Sequence, residues 1–303
     1  TIKQPPKIIF GKNSVNEFSF PEKCLVITSK GANSRGWLEY SGLTNQIIFD
    51  NVESNPSIET AEKIIFKFQN SDFSHIIGIG GGSSMDVAKY CAFKMNKLKI
   101  MIPTTFGSGS EVTRISVLKV DGKKKSFHND KLFTDIAIID SHFIENPFNQ
   151  TIKNSIIDAC AQCTEAYDSK IANEYTKFLC NSAFDLLEEG VMTNNSEKIV
   201  IGSLLDGLGF GNSSTTLGHA LSYVYSNEGI SHGHALAFTT TVAHKFNNSQ
   251  FYKRFVRLVQ KLEFSNISLS QSLDESAELI LTDRKHLDNN IKEVTKNDII
   301  NLL

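Results

Sequence analysis

The stretch from Gly78 to Lys89 has residue types and spacing suited to holding an anion. It reads Gly-Ile-Gly-Gly-Gly-Ser-Ser-Met-Asp-Val-Ala-Lys. The apolar run before it, residues 73–79, predicts a buried strand, and the apolar residues after it recur with helical spacing. Glycines allow close approach of a ligand, and the free N–H groups of a helix start attract negative charge. The pattern favours a diphosphate site. A plain Gly-rich turn is the alternative, since the spacing is neither GxGxxG nor a Walker A loop.

A second loop of similar character follows at once. Residues 100–113 read Ile-Met-Ile-Pro-Thr-Thr-Phe-Gly-Ser-Gly-Ser-Glu-Val-Thr, a predicted strand leading into two threonines and a Gly-Ser-Gly turn. Two such loops in succession favour the ligand-binding interpretation over the plain turn.

Asp158, His219 and His232 are candidate metal ligands. Asp158 and Gln162 are four residues apart in a predicted helix and share one of its faces. A lone helical histidine is usually structural, but His219 and His232 lie 13 residues apart and follow an aspartate on another helix. A carboxylate and two imidazoles with an open position fit Fe²⁺ or Zn²⁺. The fourth ligand is Gln162, whose amide oxygen binds metal more weakly than imidazole, or a water, or nothing.

The elements that position these residues change in character along the chain. Apolar runs at 8–11, 24–28, 46–50, 73–79 and 137–140 alternate with helical patterns such as residues 58–70. This alternation predicts a parallel sheet covered on both faces. Residues 111–127 predict a β-hairpin with its turn at Asp121-Gly122, and residues 29–36 predict a polar loop. After Asn146-Pro147 the periodicity becomes helical. We therefore expect an α/β dinucleotide-binding domain, residues 1–150, and an all-α metal and substrate domain, residues 151–303.

Composition excludes several classes of protein. A net charge of −2 argues against a nucleic-acid partner, and no apolar run is long enough to span a membrane. No basic start leads into an apolar segment, so no signal peptide is expected. Five scattered cysteines fit a reducing cytoplasm, and Cys160 and Cys163, despite their CxxC spacing, are expected to pack inside a helix.

The paired motifs GGGSxxDxAK and PTTxGxGSE resemble those of the iron-containing alcohol dehydrogenase family, relatives of glycerol dehydrogenase and dehydroquinate synthase. The resemblance runs nearly end to end. It implies a homo-oligomeric NAD(P)-dependent alcohol dehydrogenase or aldehyde reductase with its active site in the cleft between domains. Its metal histidines match His219 and His232, and its Asp-Ala-x-x-His-x-x-Glu segment matches residues 158–165, with Gln162 replacing the histidine. Tyr223, where some relatives have a histidine near the nicotinamide, completes a predicted catalytic set with Asp158, His219 and His232.

The resemblance also implies a cofactor site. Asp86 would orient Ser83 or reach a nicotinamide-side group, or be only a favourable first-turn acid. NAD-preferring relatives have Thr-Asp where this chain has Thr28-Ser29, with Lys30 and Arg35 nearby, which favours NADP(H) over NAD(H). The alternative is that both cations are only solvated. The predicted cofactor-binding residues are Ser29, Gly81, Gly82, Ser83, Asp86, Thr104, Thr105, Ser108, Thr113, Val117 and Lys125.

Within the family, residues 215–223 and 229–235, together with Gln162, most resemble the phosphonoacetaldehyde reductase branch. That resemblance implies reduction of phosphonoacetaldehyde to 2-hydroxyethylphosphonate. Cationic partners for the phosphonate are then Arg114, His128, Lys131 and His234. The alternatives are a metalloenzyme like dehydroquinate synthase or glycerol dehydrogenase, and an inactive relative that binds dinucleotide without metal.

Overall fold

The computed structural model describes residues 1–144 and 149–303. The chain divides into two compact units, Thr1–Glu145 and Asn146–Leu303. The predicted change of character at Asn146-Pro147 lies outside the described residues. Gln150, predicted as the last residue of the first domain, is the first residue of a helix.

The first unit contains a six-stranded parallel sheet and a separate hairpin. The strands are β1 Lys7–Phe10, β2 Cys24–Ile27, β3 Ile47–Phe49, β4 His75–Gly80, β5 Leu98–Pro103, β6 Ile115–Val120, β7 Lys123–His128 and β8 Ile136–Ile139. The sheet order is β1-β8-β5-β4-β2-β3, and β6 pairs with β7 antiparallel. All four residues of β2 are buried, so both faces of the sheet are covered there. The predicted parallel sheet is confirmed.

The helices of the first unit are α1 Lys30–Ser34, α2 Trp37–Tyr40, α3 Ile58–Phe68 and α4 Gly82–Met95. The prediction of a polar loop over residues 29–36 was wrong because Ser29 accepts the N–H of Ala32 and starts α1. The hairpin prediction is confirmed: Asp121 and Gly122 both have positive φ, 51° and 77°, as a type I′ turn requires. Short 3-10 turns cover Asp130–Leu132 and Ser141–Phe143.

The second unit is helical, as predicted, with no strand among residues 149–303. Its helices are α5 Gln150–Tyr167, α6 Glu174–Thr193, α7 Ser196–Ser213, α8 Leu217–Asn227, α9 His232–Asn247, α10 Tyr252–Leu262, α11 Leu273–Leu281, α12 Arg284–Asn289 and α13 Lys296–Leu302. Cys160 and Cys163 are buried free thiols inside α5, and burial raises the pKa of both. None of the described helices has the length and apolar character needed to cross a membrane.

Candidate metal centre and anion-binding corner

The Gly-rich stretch forms a corner between β4 and α4. Helix α4 begins at Gly82, with Gly81 as its N-cap, so Ser83 and Ser84 lie in the first turn instead of capping it. Gly80 has φ +147°, a backbone conformation that favours glycine. No side chain caps this end of α4, which leaves its first N–H groups able to hold an anion. The corner therefore fits the diphosphate that the sequence predicted.

The second loop packs directly on this corner. The N–H of Thr104 donates to the carbonyl of Gly80 over 2.9 Å. A Cβ on Gly81 would lie 3.0 Å from Oγ1 of Thr105, and a Cβ on Gly82 would lie 2.9 Å from Cβ of Ser108. Any side chain at these glycines would fill the space between the two loops. The structure thus brings the predicted residues of both loops together.

Asp86 connects α4 to the start of the hairpin. Its carboxylate accepts the hydroxyl of Ser110 over 2.6 Å and the N–H of Val117 over 3.0 Å. Both carboxylate oxygens thus hold residues 110–117, and the prediction that Asp86 orients Ser83 or reaches a nicotinamide-side group stays a prediction. The predicted Thr113 is buried in this same segment.

The remaining predicted cofactor residues lie at two places in the first unit. Ser29 follows β2, and its hydroxyl caps α1. Nearby, the guanidinium of Arg35 lies 4.9 Å from the ring centroid of Trp37. Lys125 is exposed on β7, with its ammonium 5.7 Å from the centroid of Phe127.

Of the four predicted substrate cations, three lie at one end of the hairpin in the first unit. Arg114 precedes β6, His128 ends β7, and Lys131 lies in the following 3-10 turn. The guanidinium of Arg114 is paired with Asp130 at 3.0 Å. The fourth, His234, lies on α9 of the second unit, where its Nε2 is 2.7 Å from the carbonyl oxygen of Ser265. Arg114 and His234 thus each make a polar contact within their own unit.

The predicted metal ligands converge inside the second unit. Asp158 lies on α5, His219 on α8, and His232 is the first residue of α9. Nε2 of His219 is 3.7 Å from Oδ1 of Asp158, and Nε2 of His232 is 3.8 Å from the same oxygen. The three ligand atoms all lie within 4.8 Å of one another. Ligands about 2.1 Å from a single ion have separations of this order, so the three residues fit a divalent metal.

Glu165 fixes the orientation of His219 from the other side of the ring. Its buried carboxylate is 2.6 Å from Nδ1 of His219 and accepts the N–H groups of Thr216, over 3.1 Å, and of Gly218. Burial alone would raise the pKa of Glu165, but the adjacent imidazole and these hydrogen bonds lower it. Because Nδ1 carries the proton that Glu165 accepts, the Nε2 lone pair of His219 is directed at the site.

Without a cation, His219 lies between two carboxylates. Burial would lower the pKa of its imidazole, but Glu165 and Asp158 outweigh that effect and raise it to about 9. The negative charge of Asp158 and Glu165 therefore favours a cation here, and a proton and a metal ion compete for Nε2 of His219.

Two glycines allow the ligand helices to approach closely. A Cβ on Gly233, next to His232, would overlap the carbonyl of Asn154 on α5. A Cβ on Gly218, next to His219, would overlap Oε1 of Glu165. Each of the two histidines thus follows or precedes a glycine, and the absence of a side chain at that glycine lets its helix approach α5 closely.

An aromatic cluster adjoins His219. The ring of His286 lies 6.1 Å from that of His219 and 5.9 Å from that of Tyr223, the remaining residue of the predicted catalytic set. Nδ1 of His286 is 2.6 Å from Oδ2 of Asp283. Burial raises the pKa of Tyr223, and nearby carboxylates add to the effect, so its phenol stays protonated. His286 and Asp283 were not predicted from the sequence, where their only signal is a spacing of three residues; Asp283 is the N-cap of α12 and His286 lies in its first turn.

Comparison with known proteins decides the family. The family described as "Iron-containing alcohol dehydrogenase" matches residues 5–141, and "Fe-containing alcohol dehydrogenase family, C-terminal" matches residues 152–292. The chain belongs to the iron-containing alcohol dehydrogenase family. Both halves of the architecture therefore have their counterpart in this family.

Named members of the iron-containing alcohol dehydrogenase family share parts of this sequence. 4-Hydroxybutyrate dehydrogenase of Clostridium kluyveri is 34% identical over 209 residues, which are 59% of this chain and 56% of that protein. Long-chain-alcohol dehydrogenase 1 of Geobacillus thermodenitrificans is 30% identical over 254 residues, 74% of this chain and 64% of that protein. The chain thus spans less than two thirds of the length of each of these relatives.

Two solved structures share the fold. An iron-containing alcohol dehydrogenase of Thermotoga maritima superposes with a TM-score of 0.89 at 23% identity, covering 100% of this chain and 98% of that one. A 1,3-propanediol oxidoreductase superposes with a TM-score of 0.91 at 20% identity, with coverage of 100% and 98%. These likenesses confirm the predicted fold class, an α/β unit followed by a helical unit.

Proposed function

We propose that this protein is a metal-dependent oxidoreductase that transfers a hydride between NAD(P)(H) and a small aldehyde or alcohol. The observation that carries the proposal is the convergence of Asp158, His219 and His232. Glu165 orients His219 by its contact with Nδ1, the ring nitrogen that faces away from the other two residues. Family membership supports the same activity. In this proposal the second unit holds the substrate oxygen and the first unit holds the dinucleotide.

The residues of the second unit have separate roles. Asp158, His219 and His232 would hold Fe²⁺ or Zn²⁺, which supplies Lewis acidity that lowers the pKa of an alcohol and polarises a carbonyl. Glu165 keeps the lone pair of His219 directed at the ion. Tyr223, which stays protonated, donates a hydrogen bond to the substrate.

The first unit supplies the dinucleotide site. The uncapped start of α4 binds the diphosphate, and the loop of Thr105 and Ser108 closes over it. Because Ser29 has no charge to repel a 2′-phosphate, and Lys30 and Arg35 are near, we propose a preference for NADP(H) over NAD(H). The bound nicotinamide supplies or accepts the hydride.

We further propose that the substrate carries an anionic group. The resemblance to the phosphonoacetaldehyde reductase branch favours a phosphonate, whereas the similarity to 4-hydroxybutyrate dehydrogenase favours a carboxylate. The candidate cations for either group are Arg114, His128, Lys131 and His234. Arg114 is also paired with Asp130, and Nε2 of His234 lies close to the carbonyl oxygen of Ser265.

The test follows the loss of NADPH or NADH absorbance with phosphonoacetaldehyde, succinic semialdehyde and propanal, in the presence of Fe²⁺, Zn²⁺ or EDTA. Metal-dependent turnover of an anionic aldehyde well above propanal supports the full proposal. Turnover of propanal alone would support the proposed oxidoreductase activity and contradict the proposed anionic substrate.

Absence of turnover with every metal would overturn the proposed activity. The inactive dinucleotide-binding alternative is then tested by metal analysis of protein purified without chelator. Metal present without aldehyde turnover would instead favour a metalloenzyme like dehydroquinate synthase.

A further inference from the structure

Lys89, on the third turn of α4, is a completely buried lysine. Its ammonium donates to the carbonyl oxygens of Ser110, over 2.7 Å, of Thr113, over 3.3 Å, and of Ile115. The carboxylate of Asp86, one turn earlier, lies 3.7 Å away. An ammonium has three donor hydrogens, so these three carbonyls satisfy it fully.

The three carbonyls belong to one short segment, residues 110–115. This segment begins just after Ser108, which packs on Gly82 of the corner, and ends where β6 begins. Three carbonyl dipoles aimed at one point repel one another unless a cation lies between them. The ammonium of Lys89 is therefore what allows the segment to curl in this shape.

Stability of the fold alone does not explain a lysine at this position. Removing an ammonium from water costs free energy that an apolar side chain of similar length would not. The other charged groups facing Lys89 are Asp86, which is partly buried, and Glu111, which is buried. Asp86 accepts hydrogen bonds from the hydroxyl of Ser110 and the N–H of Val117. Asp86 and Lys89, both on α4, therefore bind the same stretch of chain, residues 110–117.

We infer that Lys89 is a positioning residue for the dinucleotide. It fixes residues 110–115, and through them it holds the loop of Thr105 and Ser108 against the start of α4. The inference rests on the proposed function, because it requires that the first unit binds a dinucleotide. Lys89 acts through this segment and not by touching the cofactor.

The test compares K89M with K94M. Lys94 lies on the same helix, is exposed, and has its ammonium near the rings of Tyr90 and Phe93. K94M therefore removes an equal charge from α4 but leaves Lys89 and its hydrogen bonds to residues 110–115 in place. We expect K89M to raise the Kd and KM for the dinucleotide about tenfold or more, because small misplacements near a binding site cost that much. The KM for aldehyde and the metal content should stay within about twofold of wild type. K94M should match wild type throughout.

Several outcomes would overturn the inference. Equal dinucleotide affinity of K89M and wild type overturns the inference by itself. A rise in the aldehyde KM together with a loss of metal content also overturns it. If wild type itself binds neither NADPH nor NADH in direct titration, the proposed function fails together with it. If K89M does not fold, K89R replaces it: the charge is kept, but a planar guanidinium cannot point three donors at three carbonyls as an ammonium does. Wild-type dinucleotide affinity in folded K89R would then overturn the inference.

Discussion

The side-chain amide of Gln162 donates from Nε2 to Oδ1 of Asp158 over 2.9 Å. Its own oxygen, Oε1, is buried and has no hydrogen-bond partner among the described residues. As arranged, Gln162 therefore orients the aspartate and leaves its oxygen unused. Exchanging the two amide atoms would place Oε1 beside Oδ1, and two oxygens so close are favourable only with a cation between them.

Changing Gln162 should alter metal affinity in both directions. Q162H adds an imidazole one turn from Asp158 on α5 and should tighten Zn²⁺ binding about tenfold or more. Q162L removes the hydrogen bond to Asp158 and should weaken binding about 10- to 100-fold, as loss of such supporting bonds does. Competition with a chelating dye measures both. Gln150 begins the same helix and is exposed, so Q150L is the matched control. Unchanged affinity in Q162L would contradict the assigned role.

Removing the charge of Glu165 should weaken the metal site without touching a ligand. E165Q replaces one acceptor oxygen with a donor facing the N–H groups of residues 216 and 218, or Nδ1 of His219. We expect a loss of metal affinity of about 10- to 100-fold. The free energy of unfolding should fall by about 1–3 kcal/mol, since a buried hydrogen bond is lost. Dye competition and urea titration measure these, and E174Q, on the exposed start of α6, is the control. Retained metal affinity in E165Q would show that His219 needs no support.

Introducing a carboxylate after β2 should reverse the proposed cofactor preference. In S29D the aspartate can still cap α1, so the local fold is kept, but it repels a 2′-phosphate. The ratio of the Kd values for NADPH and NADH should shift toward NADH by roughly tenfold or more. Fluorescence titration with each dinucleotide measures the ratio. S34D places the same charge at the exposed end of α1 and should leave the ratio unchanged; an equal shift in both variants would refute a specific role for residue 29.

Buried His244 should make the protein sensitive to acid. Its Nε2 is 2.8 Å from Oγ1 of Thr164, and burial lowers the pKa of the imidazole to about 4, against 6.5 for the ordinary group. Because the folded-state pKa is depressed, the neutral ring's contribution is complete above pH 6.5 and is lost as the pH falls toward 4. The loss approaches roughly 3 kcal/mol. Urea unfolding at several pH values should therefore show a smaller acid loss in H244Q than in wild type. Identical losses would exclude His244 as the cause.

Much of the fold could be predicted because its signals are local. Unbroken apolar runs such as Cys24–Ile27 indicate strands buried on both faces, and Asp121-Gly122 indicates the hairpin turn. The candidate metal ligands could also be chosen from the sequence, since a carboxylate and two histidines of the right types match the family pattern. The structure adds that their ligand atoms meet.

The supporting residues could not be predicted because their partners are distant in sequence. A lysine within a helix normally indicates a solvated surface, and only the fold brings the carbonyls of residues 110–115 to Lys89. Glu165 acquires its role from N–H groups more than 50 residues away, at the start of α8. The sequence suggested Arg114 as a partner for a substrate anion, and the structure shows that it forms an ion pair with Asp130.

The spacing of Asp158 and Glu165 has a consequence for insertions and deletions. Seven residues place the two carboxylates on nearly the same side of α5, about 10 Å apart along its axis. His219 spans part of that interval, with Nε2 toward one carboxylate and Nδ1 toward the other. The distance between the two carboxylates along α5 is therefore matched to the imidazole ring of His219, which contacts both. Adding or removing one residue within it would turn one carboxylate by about 100°, so the length between these positions is more constrained than the identity of the residues it contains.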